Sequence, residues 1–302
     1  MDLSLIWIPA TLAAAAAQTA RNVMQHRLTE SLGTIGATQV RFLYGLPFAI
    51  LFLGVLTTAT GEPVPRQTQS FVLWVFVGGV TQIAATALML AAMSAQAFGT
   101  VIAYTKSEPV QVALFGLVFL GDRLTALGAT AIAVATFGVV VLSRKGGHRT
   151  GQGFARLAPA AMGIGAGSGF AMAAICFRGA IMTLPEASFV MRATTSLVWA
   201  LAIQTGVLLV WLLLADRGAL TRSLAIWRSS LLAGFLGALA SQFWFIGFAT
   251  TTAANVRTLA LIEVVFAALI SRRLFAHTVS WREWAGYALV CGGVTLLILG
   301  AA

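Results

Sequence analysis

Charged residues are scarce in this sequence. Only 9% of its 302 residues are Asp, Glu, Lys or Arg, whereas 59% are hydrophobic. Water-soluble domains carry roughly 25% charged residues, so a water-soluble fold is excluded because it could not bury this much apolar surface. The mean hydropathy of +0.91 agrees. The sequence therefore predicts an all-α integral membrane protein whose outer surface faces lipid.

Residue patterns for catalysis and metal binding are also missing. The three histidines, His26, His148 and His277, have no second ligand at metal-binding spacing, and Cys176 and Cys291 lie in separate apolar segments. The sequence has no catalytic triad, no carboxylate pair at catalytic spacing and no phosphate-binding loop for ATP. We therefore expect no catalytic residues, metal, cofactor or enzymatic activity, and an ATP-driven pump within this chain is excluded.

Acidic residues are few: the chain has nine, against 19 lysines and arginines, for a net charge of +10. In a soluble protein this excess would suggest binding to nucleic acid. Here most basic residues lie between apolar segments, where they contact lipid head groups and set the orientation. We expect membrane lipid and a small-molecule substrate as partners, and no nucleic acid.

Long apolar segments are what the sequence does contain. A helix of about 20 apolar residues spans the core of a bilayer. Breaking the chain at polar, glycine or proline gaps predicts ten such helices, at residues 3–24, 34–58, 70–94, 97–120, 124–143, 156–181, 187–214, 227–250, 252–275 and 280–300. The splits at 94–97 and 250–252 divide runs of about twice a membrane thickness. The first segment lacks the basic start of a signal peptide, so we expect it to be retained.

Basic residues are concentrated in the loops after the odd-numbered predicted helices. These loops hold Arg27, Arg144, Lys145, Arg149, Arg156, Arg217, Arg222, Arg272, Arg273 and Arg282. The other set holds essentially Arg66 and Arg123. Because cytoplasmic loops carry the excess of lysine and arginine, we predict a multi-pass protein of the bacterial inner (plasma) membrane with both termini in the periplasm.

The chain also contains an internal repeat. A shift of 155 residues aligns Gly79 with Gly234, Glu108 with Glu263 and Gly138 with Gly293, and a shift of 151 aligns Arg41 with Arg192. We predict two five-helix units, residues 1–150 and 151–302. Because five is an odd number, the second unit must cross the membrane upside down, which gives two inverted five-helix repeats. Sites in such folds lie near the membrane midplane, between the repeats.

One stretch carries a family resemblance. Residues 108–142, EPVQVALFGLVFLGDRLTALGATAIAVATFGVVVL, resemble the end of the repeat in the drug/metabolite transporter superfamily, EamA-like branch. That repeat has a proline-containing segment, an acidic turn and a glycine-bearing helix, here Pro109, Leu120-Gly121-Asp122 and Gly138.

The second copy departs from the pattern, with Val264 at the proline position and His277 at the acidic position. The resemblance implies a secondary transporter that exports small metabolites by alternating access through a central cavity between the repeats. The layout is similar to that of the YddG-type aromatic amino-acid exporters, which implies amino acids, aromatic ones included, as cargo. The alternatives are a multidrug or toxic-compound exporter of the same fold, and a membrane-embedded lipid-modifying enzyme.

Charged residues inside the predicted spans are the first site candidates. Each costs about 2.5–3.5 kcal/mol at a helix centre, so it must face protein or a wet cavity. Glu108 and Glu263 either form ion pairs that lock the repeats together or bind a coupling proton. Lys106 either contacts a substrate carboxylate or serves the structure. Because Lys106 and Glu108 are two apart on a helix, we expect them to point in different directions.

Other polar residues inside the predicted spans are also site candidates. Arg41, Arg178 and Arg192 are expected nearer helix ends, where their stems let the cations reach the interface. The predicted substrate-cavity residues are Gln18, Asn22, Gln82, Tyr104, Lys106, Ser168, Gln242 and Trp244. For each uncharged one, a hydrogen bond between helices is the alternative.

Glycines alternate at Gly163, Gly165, Gly167 and Gly169, which makes two small-xxx-small pairs. Such pairs let helices approach closely. They serve either within a monomer or between the subunits of a homodimer, and both states remain open.

The orientation can be tested with a reporter that is active only in the cytosol. Fused to the C-terminus, it is expected to be inactive, because the charge distribution puts that end in the periplasm. Fused after Lys145, in the most basic loop, it is expected to be active. Strong activity of the C-terminal fusion would overturn the assignment.

Overall fold

The computed structural model describes residues 5–95, 101, 104–143, 157–184, 187–265 and 280–301, and these residues contain no strand. The helices are α1 Trp7–Leu43, α2 Leu46–Thr60, α3 Gln69–Ala95, α4 Glu108–Phe115, α5 Ala126–Ser143, α6 Leu157–Met182, α7 Phe189–Ala215, α8 Arg217–Ala225, α9 Trp227–Thr250, α10 Ala253–Leu259 and α11 Trp281–Ala301. A π-helical turn, Gly116–Leu120, continues α4.

Within these residues, six segments are long and apolar enough to cross a membrane: Thr38–Thr60, Gln69–Ala92, Ala161–Met182, Phe189–Ala215, Ser230–Thr250 and Trp281–Gly300. Two shorter apolar helices, Glu108–Leu120 and Ala126–Leu142, accompany them. The prediction of an all-helical, multi-pass membrane protein is confirmed. The count of ten stays a prediction, because residues 96–97 of the predicted boundary, the basic loop at 144–156 and the ninth span beyond residue 265 lie outside the described residues.

The predicted loop between the first two spans is wrong. Residues 25–32 are helical, and α1 consists of two helical segments that meet at a kink at Gly33, where φ is 69° and ψ is 177°. The residues before Gly33 include Gln, Arg, Leu and Glu, which are good helix formers, so polarity alone does not end the helix. Glycine adopts positive φ without the steric cost that other residues meet, and the bend therefore falls there.

A second difference is the short helix α8, which lies where we expected a basic loop. It begins after Asp216, whose side chain accepts a hydrogen bond from Ala219 N at 2.9 Å. An aspartate in this capping position satisfies a backbone N–H that the helix leaves free. Tyr44 then fixes α8 to the rest of the fold, since its hydroxyl donates to Ser223 O at 3.1 Å.

Three helix pairs organise the packing: α1 with α9, α3 with α6, and α5 with α11. The alternating glycines of α6 pack closely as predicted, because a Cβ on Gly163 would lie 2.6 Å from Tyr104 Cβ and one on Gly169 would lie 2.8 Å from Ala85 Cβ. In the α5–α11 pair, Gly138 lies against Gly286 and Val290, and Gly293 lies against Ala131 and Ala135.

Gly293 and its neighbour Gly292 provide a direct test of the α5–α11 contact. A Cβ on Gly293 would lie 2.6 Å from Ala135 N, whereas nothing lies within 4 Å of a Cβ on Gly292. Because overpacking costs about 1–3 kcal/mol, Gly293→Ala is expected to lower the melting temperature in detergent. Gly292→Ala should leave it unchanged. Equal melting temperatures for the two variants would contradict the packing.

Candidate substrate cavity

Two helices are interrupted in corresponding parts of the two halves. In the first half, a turn at Lys106–Ser107 precedes α4, and Ser107 N donates to Tyr104 O at 3.2 Å. In the second half, α10 is followed by a turn at 260–261, and residues 262–265 are helical again. Paired interruptions of this kind frame the substrate site in many secondary transporters.

Both interruptions border one central cavity of about 50 Å³. Its lining residues are Gln18, Arg21, Asn22, Arg41, Gln82, Met89, Thr105, Lys106, Glu108, Phe170, Trp244, Arg257 and Glu263. A buried water needs roughly 10–15 Å³ of such space, so the cavity has room for a few waters. In this conformation it is too small for a metabolite.

Two ion pairs cross the cavity and join the halves of the chain. Glu108 Oε1 lies 3.0 Å from Arg257 Nε. Lys106 Nζ pairs with Glu263 Oε1. In each pair, one partner comes from the interrupted segment of the first half and the other from that of the second.

The interruption also corrects one expectation from the sequence. Lys106 and Glu108 both line the cavity, although two positions on a continuous helix would point apart. They do not belong to a continuous helix, because the turn at Lys106–Ser107 separates them and α4 begins at Glu108 with Pro109 in its first turn. Proline fits there, where its missing N–H is not needed.

Arg257 is held on its other side by aromatic rings. Its guanidinium carbon lies 4.6 Å from the centre of the Trp244 ring and 5.4 Å from that of Phe248. A cation over an aromatic face is attracted by the ring quadrupole. Trp244 is fixed in turn, since its Nε1 donates to Gln18 Oε1 at 3.1 Å.

Two more cations line the cavity, and neither has a carboxylate partner among the described residues. Arg21 is 4% exposed and Arg41 is 5% exposed. The expectation that Arg41 reaches an interface is therefore wrong, because its side chain is buried in the lining of the cavity. With Lys106 and Arg257 the described lining holds four cations against two carboxylates.

Arg178 also differs from expectation. Instead of extending toward the interface, its Nη1 donates to Phe248 O at 2.8 Å and to Thr251 O. Its Nη2 lies 3.4 Å from Asp122 Oδ1. The cation thus caps the carbonyl end of α9, where a positive charge is favoured by the helix dipole.

The predicted cavity residues divide into two groups. The structure brings Gln18, Asn22, Gln82, Lys106 and Trp244 together in the lining, along with both glutamates. Gln82 is positioned there by Gln204, whose Nε2 donates to Gln82 Oε1 at 2.6 Å.

The other three lie outside the lining. Tyr104 packs over Gly163 and is 40% exposed. Ser168 donates to Ile164 O at 3.1 Å within its own helix. Gln242 donates to Thr194 Oγ1 at 2.9 Å, so it makes the contact between helices that was the alternative.

Sequence reasoning missed Arg21, Thr105 and Met89 as lining residues. A signal for Arg21 was present, because Gln18, Arg21 and Asn22 are spaced three and four positions apart and therefore share one helix face. Nothing in the pattern around Thr105 and Met89 distinguished them from packing residues.

Residues 161–299 match the model of the EamA-like transporter family. A solved structure titled "Crystal structure of protein" superposes with a TM-score of 0.74 at 16% sequence identity, covering 100% of this chain and 97% of that chain. At this identity the likeness concerns the fold alone. No curated protein matches this sequence.

The ion pair between Glu108 and Arg257 can be tested by removing one partner. Glu108→Gln leaves a buried cation without its carboxylate, and such breaks cost about 3–5 kcal/mol. We expect a large fall in melting temperature in detergent, partly restored in the double variant Glu108→Gln/Arg257→Gln.

The matched control is Arg222→Gln, since Arg222 lies 4.0 Å from Asp216 in a pair whose side chains are about half exposed. Exposed pairs are worth about 0–1 kcal/mol, so this variant should melt almost like the unchanged protein. If Glu108→Gln melts like Arg222→Gln, the central pair does not stabilise the fold.

Proposed function

We propose that this chain, whose residues 161–299 match the model of the EamA-like transporter family, exports small metabolites by alternating access through the central cavity. The observation that carries this proposal is the pair of interrupted helices that meet across the cavity through Glu108–Arg257 and Lys106–Glu263. Interrupted helices place backbone ends and charged side chains at a midplane site.

An inverted repeat is part of the proposal, and packing supports it. Gly138 touches Gly286 and Val290 on α11, and Gly293 touches Ala131 and Ala135 on α5. The first two contact residues lie 155 positions beyond the second two. The pairs α3–α6 and α1–α9 are equivalent in the same way. The first joins the third span of the first unit to the first span of the second unit, and the other joins the first span of the first unit to the third span of the second unit. A two-fold relation between the halves accounts for all three contacts.

The size of the cavity supports alternating access. A space of about 50 Å³ must widen before a metabolite enters, so the halves must move relative to each other. The ion pairs lie on the path of that movement. Glu108 and Glu263 therefore either stay ionised as a lock between the halves or take up a proton when a pair opens.

Amino acids, aromatic ones included, are the cargo that we propose to test first. Trp244, Phe170 and Met89 are apolar members of the lining, and Lys106, which pairs with Glu263, is a cation of the same lining that a substrate carboxylate could contact. A multidrug exporter is the second candidate from the sequence. The charged lining favours a polar metabolite over it, since burying charges against an apolar drug would leave them unpaired.

Purified protein in liposomes loaded with labelled amino acids tests the proposal. We expect efflux of phenylalanine or tryptophan, reduced at least several-fold by Lys106→Gln. Empty liposomes and the Arg222→Gln variant are the controls. Efflux with and without a pH gradient separates proton coupling from uniport. No flux of any amino acid would refute this cargo, and full flux by Lys106→Gln would refute the role of Lys106.

A further inference from the structure

We propose that Arg21 and Arg41 form an anion-binding subsite, which receives a carboxylate or phosphate group of the cargo. The inference rests on the proposed function only in taking the central cavity as the transport site. It goes further by setting the charge that the cargo must carry.

The first observation is that both guanidinium groups have unused hydrogen-bond donors. Arg21 Nε and Nη1 and Arg41 Nε are buried and have no hydrogen-bond partner among the residues that the structure describes. Both side chains are more than nine-tenths buried and line the cavity. Buried polar groups are almost always hydrogen-bonded, and the free donors of these two lining residues are therefore satisfied if a ligand in the cavity supplies the acceptors.

The second observation is that no carboxylate of the described lining is left for them. Glu108 is paired with Arg257, and Glu263 is paired with Lys106. Within the described residues, the lining therefore has two cations in excess. A bound anion would remove the repulsion between these cations and satisfy the free donors with the same contacts.

The third observation is that the fold positions the two side chains together. A Cβ on Gly237 of α9 would lie 3.4 Å from Arg41 Cγ and 3.5 Å from Arg21 Cδ, so both stems lie over this glycine. Arg21 Nη2 donates to Asn22 Oδ1 at 2.7 Å. Arg41 also lies over the Phe42 ring, with its guanidinium carbon 5.0 Å from the ring centre.

Arg41 Nη1 also donates to Thr86 Oγ1 at 3.5 Å. These contacts hold the guanidinium groups but leave part of their N–H donors unpaired in residues that line the cavity. The planar guanidinium presents parallel N–H groups that match the two oxygens of a carboxylate or phosphate. Because each carboxylate of the described lining already pairs with a cation, the two surplus arginines make the site favour an anion over a cation. Among ligands that share a phenyl ring and a two-carbon chain but differ in charge, we expect affinity to fall from 3-phenylpropionate to phenylalanine to phenethylamine.

Binding to the purified protein in detergent, measured by calorimetry, tests the subsite without requiring transport. The probes are 3-phenylpropionate, phenylalanine, phenethylamine and inorganic phosphate. We expect 3-phenylpropionate to bind and phenethylamine not to bind. Stronger binding of phosphate than of 3-phenylpropionate would identify the cargo group as a phosphate, whereas the reverse order identifies a carboxylate.

Arg21→Gln and Arg41→Gln are expected to weaken anion binding by about tenfold or more, as for loss of a charged hydrogen bond. The matched control is Arg192→Gln, since Arg192 is the repeat counterpart of Arg41 but does not line the cavity. The Arg192→Gln variant should bind the anions as tightly as the unchanged protein does. Each cavity variant should also melt no lower than the unchanged protein when no anion is present, because it removes an unpaired charge.

Three results would overturn the subsite: no binding of either anion, binding of phenethylamine as tight as that of 3-phenylpropionate, or unchanged affinity in both cavity variants. Melting of these variants far below the Arg192→Gln control would also overturn it, since the arginines would then be structural. Anion binding without amino-acid flux would refute the proposed cargo and leave the subsite standing. Amino-acid flux without anion binding would refute the subsite and leave the proposed cargo standing.

Discussion

The pairing of buried charges across the central cavity is the constraint on which the rest of the structure depends. Lys106, Glu108, Arg257 and Glu263 lie deep inside an apolar bundle, where single charges are costly. Each acidic group pairs with a cation from the other half. The two interrupted segments must therefore meet, and the helices around them must pack closely enough to bring them there.

Much of the fold could be predicted because apolar length is a strong signal. Helix α3, Gln69–Ala95, and helix α7, Phe189–Ala215, begin and end within two residues of their predicted spans. The bend at Gly33 could not be predicted, since its polar neighbours look like a loop in a membrane protein. Nor could the interruption after α10, because no proline or glycine lies at residues 260–261.

The site was predictable where polarity and depth coincide, as for Gln18, Asn22 and Gln82. It was not predictable where packing decides the direction of a side chain. Tyr104 is drawn to the surface of α6 because Gly163 leaves space there. Gln242 finds Thr194 on a neighbouring helix. One sequence cannot tell such a contact from a cavity wall, since both satisfy a polar group in an apolar surrounding.

The surplus of two cations in the described lining has an electrical consequence. Moving one elementary charge across a membrane potential of 100 mV involves about 2.3 kcal/mol. In the alternating access that we propose, the surplus charge of the empty cavity would move through part of that field when the cavity opens to the other face of the membrane. A cavity that holds a net anionic cargo would carry less charge. The potential would then act mainly on the return of the unloaded protein, and the membrane voltage would set the rate of that return rather than the affinity for the cargo.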